Sequence, residues 1–587
     1  MKVRINDKTY LGRPGQTILE LAQENGLKIP SLCHHPDLSV KANCRVCVVE
    51  IKGRERLATS CSTPVSEGME IYTNSIRVKR AREMNLELLF AEHIEKCGDC
   101  TLQYDCTLLD LARRYKIKIN RFLDRKGKRP TYRFANAVEI DGTQCIDCQN
   151  CVEACQRQGI GYLKIEGHGA NQEIKPVKDK KTACIYCGQC ANVCPVAAAQ
   201  EQSCFKEVEA ALRDKNKIVV AQFAPAVRVA IGEEFSLPAG TNCEGKIYTA
   251  LRKLGFKQAF DVNFAADVTT MAEAEELMER LGNKKAVWPM MTSCCPAWVA
   301  YAEYYHPELL PNLTTVRSPQ IIQAGAIKTY WAQKKKLAAK NIVVVSIMPC
   351  TSKKYEAARP ELTLNGRPLV DYVLTTRELA FLIKKNKLDF KKLPDGRGEP
   401  LFNEGSGAAA IYGASGGVME SALRTAVDLA GVLKQGSKAK AKALASRLEF
   451  KEVRGLAGFK EATLDVAGRR LKIGIVNGIG NFHRVLPKLS KYHYIEVMAC
   501  PGGCLGGGGQ PLPTTDAIRA KRMAGLYGLD KQRVIRRAHE NQAMVEYYDW
   551  VKKNKLSAQV IHTKFKKSSG SILTTAKKSQ PRILNLF

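Results

Sequence analysis

No stretch of this chain approaches the roughly 18 consecutive apolar residues of a membrane-spanning helix. Its start, Met1-Lys2-Val3-Arg4, leads into an alternating pattern rather than the apolar core of an export signal. A cytoplasmic location is the expectation. Without an export signal the 22 cysteines are not expected to form disulfides, because cytosolic thiols are kept reduced and patterned cysteines there bind metal. A nucleotide fingerprint is also missing, since NGIGNF from Asn477 to Phe482 lacks the full G-x-G-x-x-G spacing. Acidic residues are absent from Lys552 to the end, where nine Lys and Arg stand unopposed. That end reads as a flexible, solvated tail, with a docking arm as the alternative.

What is present is a chain of 587 residues, 45% apolar and 25% charged, which is ordinary for a globular protein and long enough for about three to five domains. The formal net charge of +33 creates a field that attracts acidic partners. Nucleic acid is disfavoured, because the excess is spread along the chain and dense only at Lys434 to Lys442 and in the tail. An acidic electron-carrier protein suits the field better.

The fold class expected is α+β multidomain. Residues 1–78 give two short strands and a helix in TILELAQENG, with Ile18, Leu21 and Ala22 on one face, as in a small β-grasp module. A basic helical segment spans 79–120, and a cysteine-dense module spans 136–206. From 210 to 512 strands and helices alternate, with strands in KIVVAQFAP, NIVVVSIMPC, LKIGIVNGIG and HYIEVMAC. Most of the later cysteines lie at or near strand ends, where open α/β sheets place their sites. Charged helices fill 513–550, and 551–587 is the basic tail.

Four cysteine groups precede the large domain. Cys33, Cys44, Cys47 and Cys61 form C-x10-C-x2-C-x13-C, which resembles a 2Fe-2S ferredoxin pattern, with zinc as the alternative. His93, Cys97, Cys100 and Cys106 could by spacing hold zinc or a 4Fe-4S cluster. Their position after a 2Fe-2S module resembles the histidine-ligated 4Fe-4S domain shared by iron-only hydrogenases and the large peripheral iron-sulfur subunit of respiratory complex I. CIDCQNCVEAC and CIYCGQCANVCP repeat the C-x2-C-x2-C-x3-C run of two-cluster 4Fe-4S ferredoxins. In that pattern the fourth cysteine serves the other cluster. The sets are therefore Cys145, Cys148, Cys151 with Cys194, and Cys184, Cys187, Cys190 with Cys155.

Fifteen of the 22 cysteines fall in these groups, leaving seven. Cys204 and Cys243 have unpatterned surroundings and read as plain buried thiols. The other five lie in TSCCPAW, MPCTSKKYE and EVMACPGGCLGGGGQP. These resemble, in order and separation, the three signature motifs of the FeFe hydrogenase catalytic domain, and the resemblance runs from residue 1 to about 545. Complex I subunits would lack all three. The resemblance implies reversible reduction of protons to H2 at an H-cluster, a 4Fe-4S cubane held by Cys295, Cys350, Cys500 and Cys504. Cys504 would also bridge to a two-iron subcluster carrying CO, cyanide and an amine-containing dithiolate. The glycines around Cys504 would let backbone approach closely. Lys353 would be a cationic donor to a cyanide, and Ala224, Pro225, Ser318, Gln320, Met348, Tyr412 and Met498 would line the pocket. Tyr412 stands where the family commonly has Phe, so its hydroxyl is expected to reach the cofactor or bias its oxidation state.

Protons need their own route. On spacing, Glu273, Glu276 and Arg280 share one helix face, which alone would read as solvated. The resemblance makes them, with Cys294 and Thr314 in place of the family's usual Ser, a proton path. The Cys294 thiol, ordinarily near pKa ~8.5, is expected to exchange protons near neutrality. Implied partners are ferredoxin or flavodoxin, maturases that build the H-cluster, and possibly NAD(P)H-oxidising flavoprotein subunits of a bifurcating complex. A hydrogen sensor or electron-wire subunit on the same scaffold is the non-enzymatic alternative.

Overall fold

The computed structural model describes residues 1–93, 97, 100–119, 121–179, 181–402, 405–433, 451–466 and 469–576. The basic run Lys434 to Lys442 and the tail beyond residue 576 lie outside them.

The first module is a mixed five-stranded sheet in which Lys2–Ile5 pairs antiparallel with Lys8–Leu11 and parallel with Glu70–Tyr72, the β-grasp arrangement. Its helix Ile18–Glu24 begins at a capping box of Thr17 and Glu20. The helix buries Ile18, Leu19, Leu21 and Ala22 against Val3, Ile5 and Val49. Two helices follow, Ile76–Ala91 and Thr107–Arg114, and the second starts at Cys106. Arg82, buried in the first of them, donates to the carbonyls of Val46 (3.1 Å) and Val48 (2.8 Å) and so ties this segment to the β-grasp module. The cysteine-dense module carries strands Thr131–Phe134, Val138–Asp141 and Ala199–Glu201 in one antiparallel sheet.

The large domain has two sheets. In the first, Gln258–Asp261, Ile218–Phe223, Ile342–Met348 and Tyr372–Thr375 are all parallel, in that order. Ile342–Met348 is buried at every residue, as expected of a central parallel strand. In the second, Met290–Met291, Tyr494–Met498 and Arg469–Asn477 run parallel, with Phe459–Val466 added antiparallel. The 20-residue helix Asn263–Gly282 contributes to the apolar cores on both sides. The strand candidates read from the sequence are therefore strands, and Cys350, Cys500 and the Cys294–Cys295 pair each follow a carboxyl end.

Over the described residues 551–576 the expectation of a flexible tail is not met. Helix Ser557–Val560 is followed by an antiparallel bridge between His562 and Val316. Leu573–Ala576 then pairs with Thr131–Phe134, adding a strand to the ferredoxin-like sheet. Backbone pairing needs no acidic partner, so the missing counter-charge misled the sequence reading.

Candidate active site and the routes that reach it

Between the two sheets lies a cavity of about 70 Å³. One water needs about 10–15 Å³ on this measure, so this is room for several atoms and not a packing flaw. Cys295, Cys350, Cys500 and Cys504 all line it, together with Cys294, Lys353, Ala224, Pro225, Gln320, Met348, Tyr412 and Met498. Four thiols from three strand ends line it, and the remaining lining is almost wholly apolar. This fits a large iron-sulfur group better than a polar substrate. Gln320 Oε1 is buried at this wall without a hydrogen-bond partner, a polar atom suited to a bound group. Burial pushes the Cys350 thiol up to about 11 and Cys504 to about 12, the cost that metal ligation of a thiolate offsets. Gly502 and Gly503 have φ of 77° and 72°, so the loop that presents Cys504 takes a turn open to glycine.

Ser318 is the one expected pocket residue that does not line this cavity. Its hydroxyl donates to Glu356 Oε2 at 2.8 Å, and Glu356 in turn pairs with Lys353 Nζ at 2.8 Å. Ser318 thus acts through Glu356. Lys353 also donates to the Cys294 carbonyl at 3.1 Å, and Glu356 helps keep its pKa raised against the penalty of burial. The Tyr412 ring lines the cavity, but its hydroxyl accepts from Thr270 Oγ1 at 3.0 Å, and Thr270 also bonds Ser421 at 2.7 Å. That hydroxyl is thereby tied to helix Asn263–Gly282.

Several of the accessory cysteines lie close to one another. Cys47 Sγ lies 3.4 Å from Cys61 Sγ, and the Cys44 amide points at Cys33 Sγ. His93 Nδ1 lies 2.8 Å from the Gln144 carbonyl, which orients the ring. Cys145, Cys148, Cys151 and Cys194 together surround a small cavity. Burial, then Cys187, Cys190 and Cys155, raise the pKa of Cys184. Adjacent groups also sense each other, since Cys44 acts on Cys148, and Cys350 and Cys295 act on Cys187. Thiols are thus near enough to interact from the β-grasp module through the ferredoxin-like module to the cavity. Cys243 is buried and Cys204 half-buried, with Lys354 Nζ 3.9 Å from the Cys204 sulfur.

The glycine-rich loop makes the last junction. Asn192 Nδ2 donates to the carbonyls of Gly506 (3.0 Å) and Gly507 (2.9 Å), and Arg377 Nη2 donates to Gly508 at 2.7 Å. A methyl group on Gly508 would stand 2.5 Å from the Cys187 carbonyl oxygen. Only glycine lets the two cysteine-bearing loops touch.

On the expected proton side, Glu273 is fully buried and Glu276 and Arg280 are both half-buried, so this helix face is not a solvated one. Burial pushes the Glu273 carboxyl up to about 8, with the Glu276 charge adding to the shift. Thr314 Oγ1 donates to Glu273 Oε1 at 3.2 Å and meets Ser293 Oγ at 2.8 Å, and the Tyr494 hydroxyl donates to Glu273 Oε2 at 2.9 Å. Arg280 Nη2 donates to Glu276 Oε1 at 2.7 Å, and Thr315 Oγ1 to Glu276 Oε2 at 3.1 Å. The Cys294 thiol is pushed well above its ordinary value by burial and then by Glu273. Ser293, Thr315 and Tyr494 were missed in the sequence. Ser293 adjoins Cys294 and Thr315 adjoins Thr314, so motif neighbourhood was the available signal; nothing local pointed to Tyr494.

A family model described as "Iron only hydrogenase large subunit, C-terminal domain" matches residues 217–508. Models for a 2Fe-2S iron-sulfur cluster binding domain, a 4Fe-4S dicluster domain and the iron hydrogenase small subunit match 1–75, 144–198 and 516–568. The last match continues through His562, past the boundary at 550 expected from the sequence. The NADP-reducing hydrogenase subunit HndD of Solidesulfovibrio fructosivorans is 40% identical over 96% of this chain and 98% of its own. Iron hydrogenase 1 of Clostridium pasteurianum is 40% identical over 94% of this chain and 97% of its own. A solved structure of apo HydA1, an FeFe-hydrogenase variant from Chlamydomonas reinhardtii, superposes with a TM-score of 0.54 at 36% identity, covering 62% of this chain and 99% of that one. With four thiols lining one apolar cavity, and similarity over nearly the whole chain to an iron hydrogenase and to an NADP-reducing hydrogenase subunit, this chain belongs to the FeFe (iron-only) hydrogenases, with 2Fe-2S, 4Fe-4S and H-cluster domains.

Proposed function

We propose that the chain catalyses 2H⁺ + 2 reduced carrier ⇌ H2 + 2 oxidised carrier, with electrons passing through its accessory clusters to the cavity between the two sheets. The observation that carries this reading is the convergence of Cys295, Cys350, Cys500 and Cys504 on a cavity that Cys294 and Lys353 also reach. These four cysteines would hold the cubane, with Cys504 bridging to the two-iron group. When bound, that group supplies an open iron site and a pendant amine at which H2 is split or formed. The apolar walls of Ala224, Pro225, Met348 and Met498 exclude water, which strengthens every charge inside. Lys353, fixed by Glu356, presents a cation toward the site, and Gln320 a polar group.

Protons would move between Cys294 Sγ, Glu273 and the outer pair Glu276 and Arg280. A carboxyl held near pKa 8 can carry a proton at neutral pH, which a solvated Glu cannot. Thr314 holds Glu273 in place, and hydroxyls can pass protons onward. Cys294→Ser keeps its iron content and its CO and cyanide infrared bands but loses most turnover; loss of the cubane instead would assign the cysteine pair the other way round.

The electron donor is an acidic carrier, ferredoxin or flavodoxin, drawn by the net charge of +33. Dedicated maturases supply the two-iron group. A second reading, that the chain works in the cytoplasm beside NAD(P)H-oxidising flavoprotein subunits of an NAD(P)-coupled or bifurcating complex, is favoured by the 40% identity over 96% of the chain to an NADP-reducing hydrogenase subunit. Co-purification with a flavoprotein, and H2 evolution only when it is present, would decide for the complex. A sensor role fits poorly with Cys294, Glu273, Glu276 and Arg280 all in place. CO and cyanide bands without H2 evolution in maturase-coexpressed protein would reverse that judgement.

A further inference from the structure

The C-terminal segment does more than brace the fold. Ile561 to Thr563 is stitched to Thr315–Arg317 by backbone bonds, Arg317 N to Ile561 O (2.7 Å) and Thr563 N to Thr315 O (2.7 Å), and Arg317 Nε donates to His562 O at 2.7 Å. Val560 and Ile561 are buried beside it, which fixes the segment's register. The imidazole of His562, itself half-buried, lies with Nδ1 2.9 Å from Thr315 Oγ1. Thr315 Oγ1 in turn donates to Glu276 Oε2 at 3.1 Å. Because the single Thr315 hydrogen goes to Glu276, the threonine oxygen is an acceptor toward the ring, and Nδ1 carries the hydrogen.

We propose that His562 is the solvent-side member of the proton path, a relay residue that exchanges protons with water at Nε2 and passes them through Thr315 to Glu276. The inference rests on the reading of Glu276 and Glu273 as that path. Inward, a proton added at Nε2 gives the imidazolium. The Nδ1 hydrogen then moves to Thr315 Oγ1 as the Thr315 hydrogen moves to Glu276 Oε2, leaving a neutral Nε2–H imidazole and a protonated Glu276. Loss of the Nε2 hydrogen and regain of one at Nδ1 through water resets the ring. The reverse sequence carries protons out during H2 oxidation. The charged groups acting on the ring are Glu276, Glu275 and Glu279 from helix Asn263–Gly282, which favour its cation, and Arg317 from the paired segment, which opposes it. Burial, the largest influence, lowers its pKa below the ordinary 6.5, so the ring releases its proton readily.

The test uses the full-length, matured enzyme. His562→Ala should keep its iron content and infrared bands and lose turnover roughly tenfold in weak buffer, less than the ~10²–10⁴ of a direct general acid because water partly substitutes. Added imidazole should restore it, and His562→Gln, which can bond Thr315 but cannot titrate, should stay slow. Deuterium exchange at the His562 ring carbon, followed by mass spectrometry across pH, gives a readout independent of turnover. Its pKa should fall further in Glu276→Gln, where a favourable charge is gone. Unchanged turnover in His562→Ala and His562→Gln while Glu276→Gln is slow would overturn the role of His562 and leave the path standing. Unchanged turnover in Glu276→Gln would overturn the path itself, and the proposal with it.

Discussion

The proposed electron and proton routes of this molecule are built in opposite ways. Each accessory set of candidate ligands lies largely in one short stretch, such as Cys184 to Cys190, whose spacing carries the signal. The proton side collects Glu273, Ser293, Thr314, Thr315, Tyr494 and His562 from widely separated segments, and none belongs to a local pattern that demands it. Thiolate ligation needs four sulfurs within a few bonds' reach of one cluster. A relay needs only successive polar atoms near hydrogen-bond distance, wherever they originate.

The sharpest way to break the comparison is to damage one side alone. Exchange between D2 and protons needs the catalytic site and the proton route but no external electrons. Cys190→Ala should therefore drive carrier-linked turnover to background while HD formation persists; equal loss of both would show that the two sides are not separable. Glu273→Gln should lower both by ~100-fold, in line with removal of a general acid–base group.

The same substitution has a consequence for stability. The folded-state pKa of Glu273 is raised to about 8, so its burial is cost-free at acid pH, where the group is neutral in both states. The cost grows as pH rises from the unfolded value of about 4.5 and levels off above 8. Glu273→Gln should accordingly melt higher than the parent at pH 8, with the gap narrowing toward pH 5. A gap that widened on acidification would contradict the burial argument.

Gly508→Ala attacks the junction where electrons leave the ferredoxin-like module. The added methyl meets backbone at 2.5 Å and 2.6 Å, so we expect about 1–3 kcal/mol of destabilisation and slower carrier-linked turnover, with HD formation spared. Thermal melting and the two assays check this together. The smallest effect belongs to Tyr412→Phe, which removes one hydrogen bond, about 1 kcal/mol, between the cavity wall and helix Asn263–Gly282. A change in the ratio of H2 oxidation to evolution, or in the inactivation rate in oxygen, is expected; identical values for both would mean the hydroxyl serves packing only.

Much of this was legible in advance. The parallel strands declared themselves as apolar runs ending in turns, and Cys194 lies with Cys145, Cys148 and Cys151 around one small cavity. Ser318 was misplaced because its neighbour Gln320 lines the cavity while its own hydroxyl turns back to Glu356. The tail was misread because composition reports charge, whereas strand pairing with Thr131–Phe134 uses main-chain groups that every residue carries.

By itself the sequence determined the cluster inventory, the order of the modules and the family, since metal ligation is written in residue type and spacing along the chain. Only the tertiary structure decided that the Tyr412 hydroxyl faces Thr270, that Glu273 is buried enough to hold a proton near neutrality, and that a histidine from the C-terminal segment meets Thr315. Burial and through-space contact set a pKa and a hydrogen-bond partner, and neither is a property of neighbours along the chain.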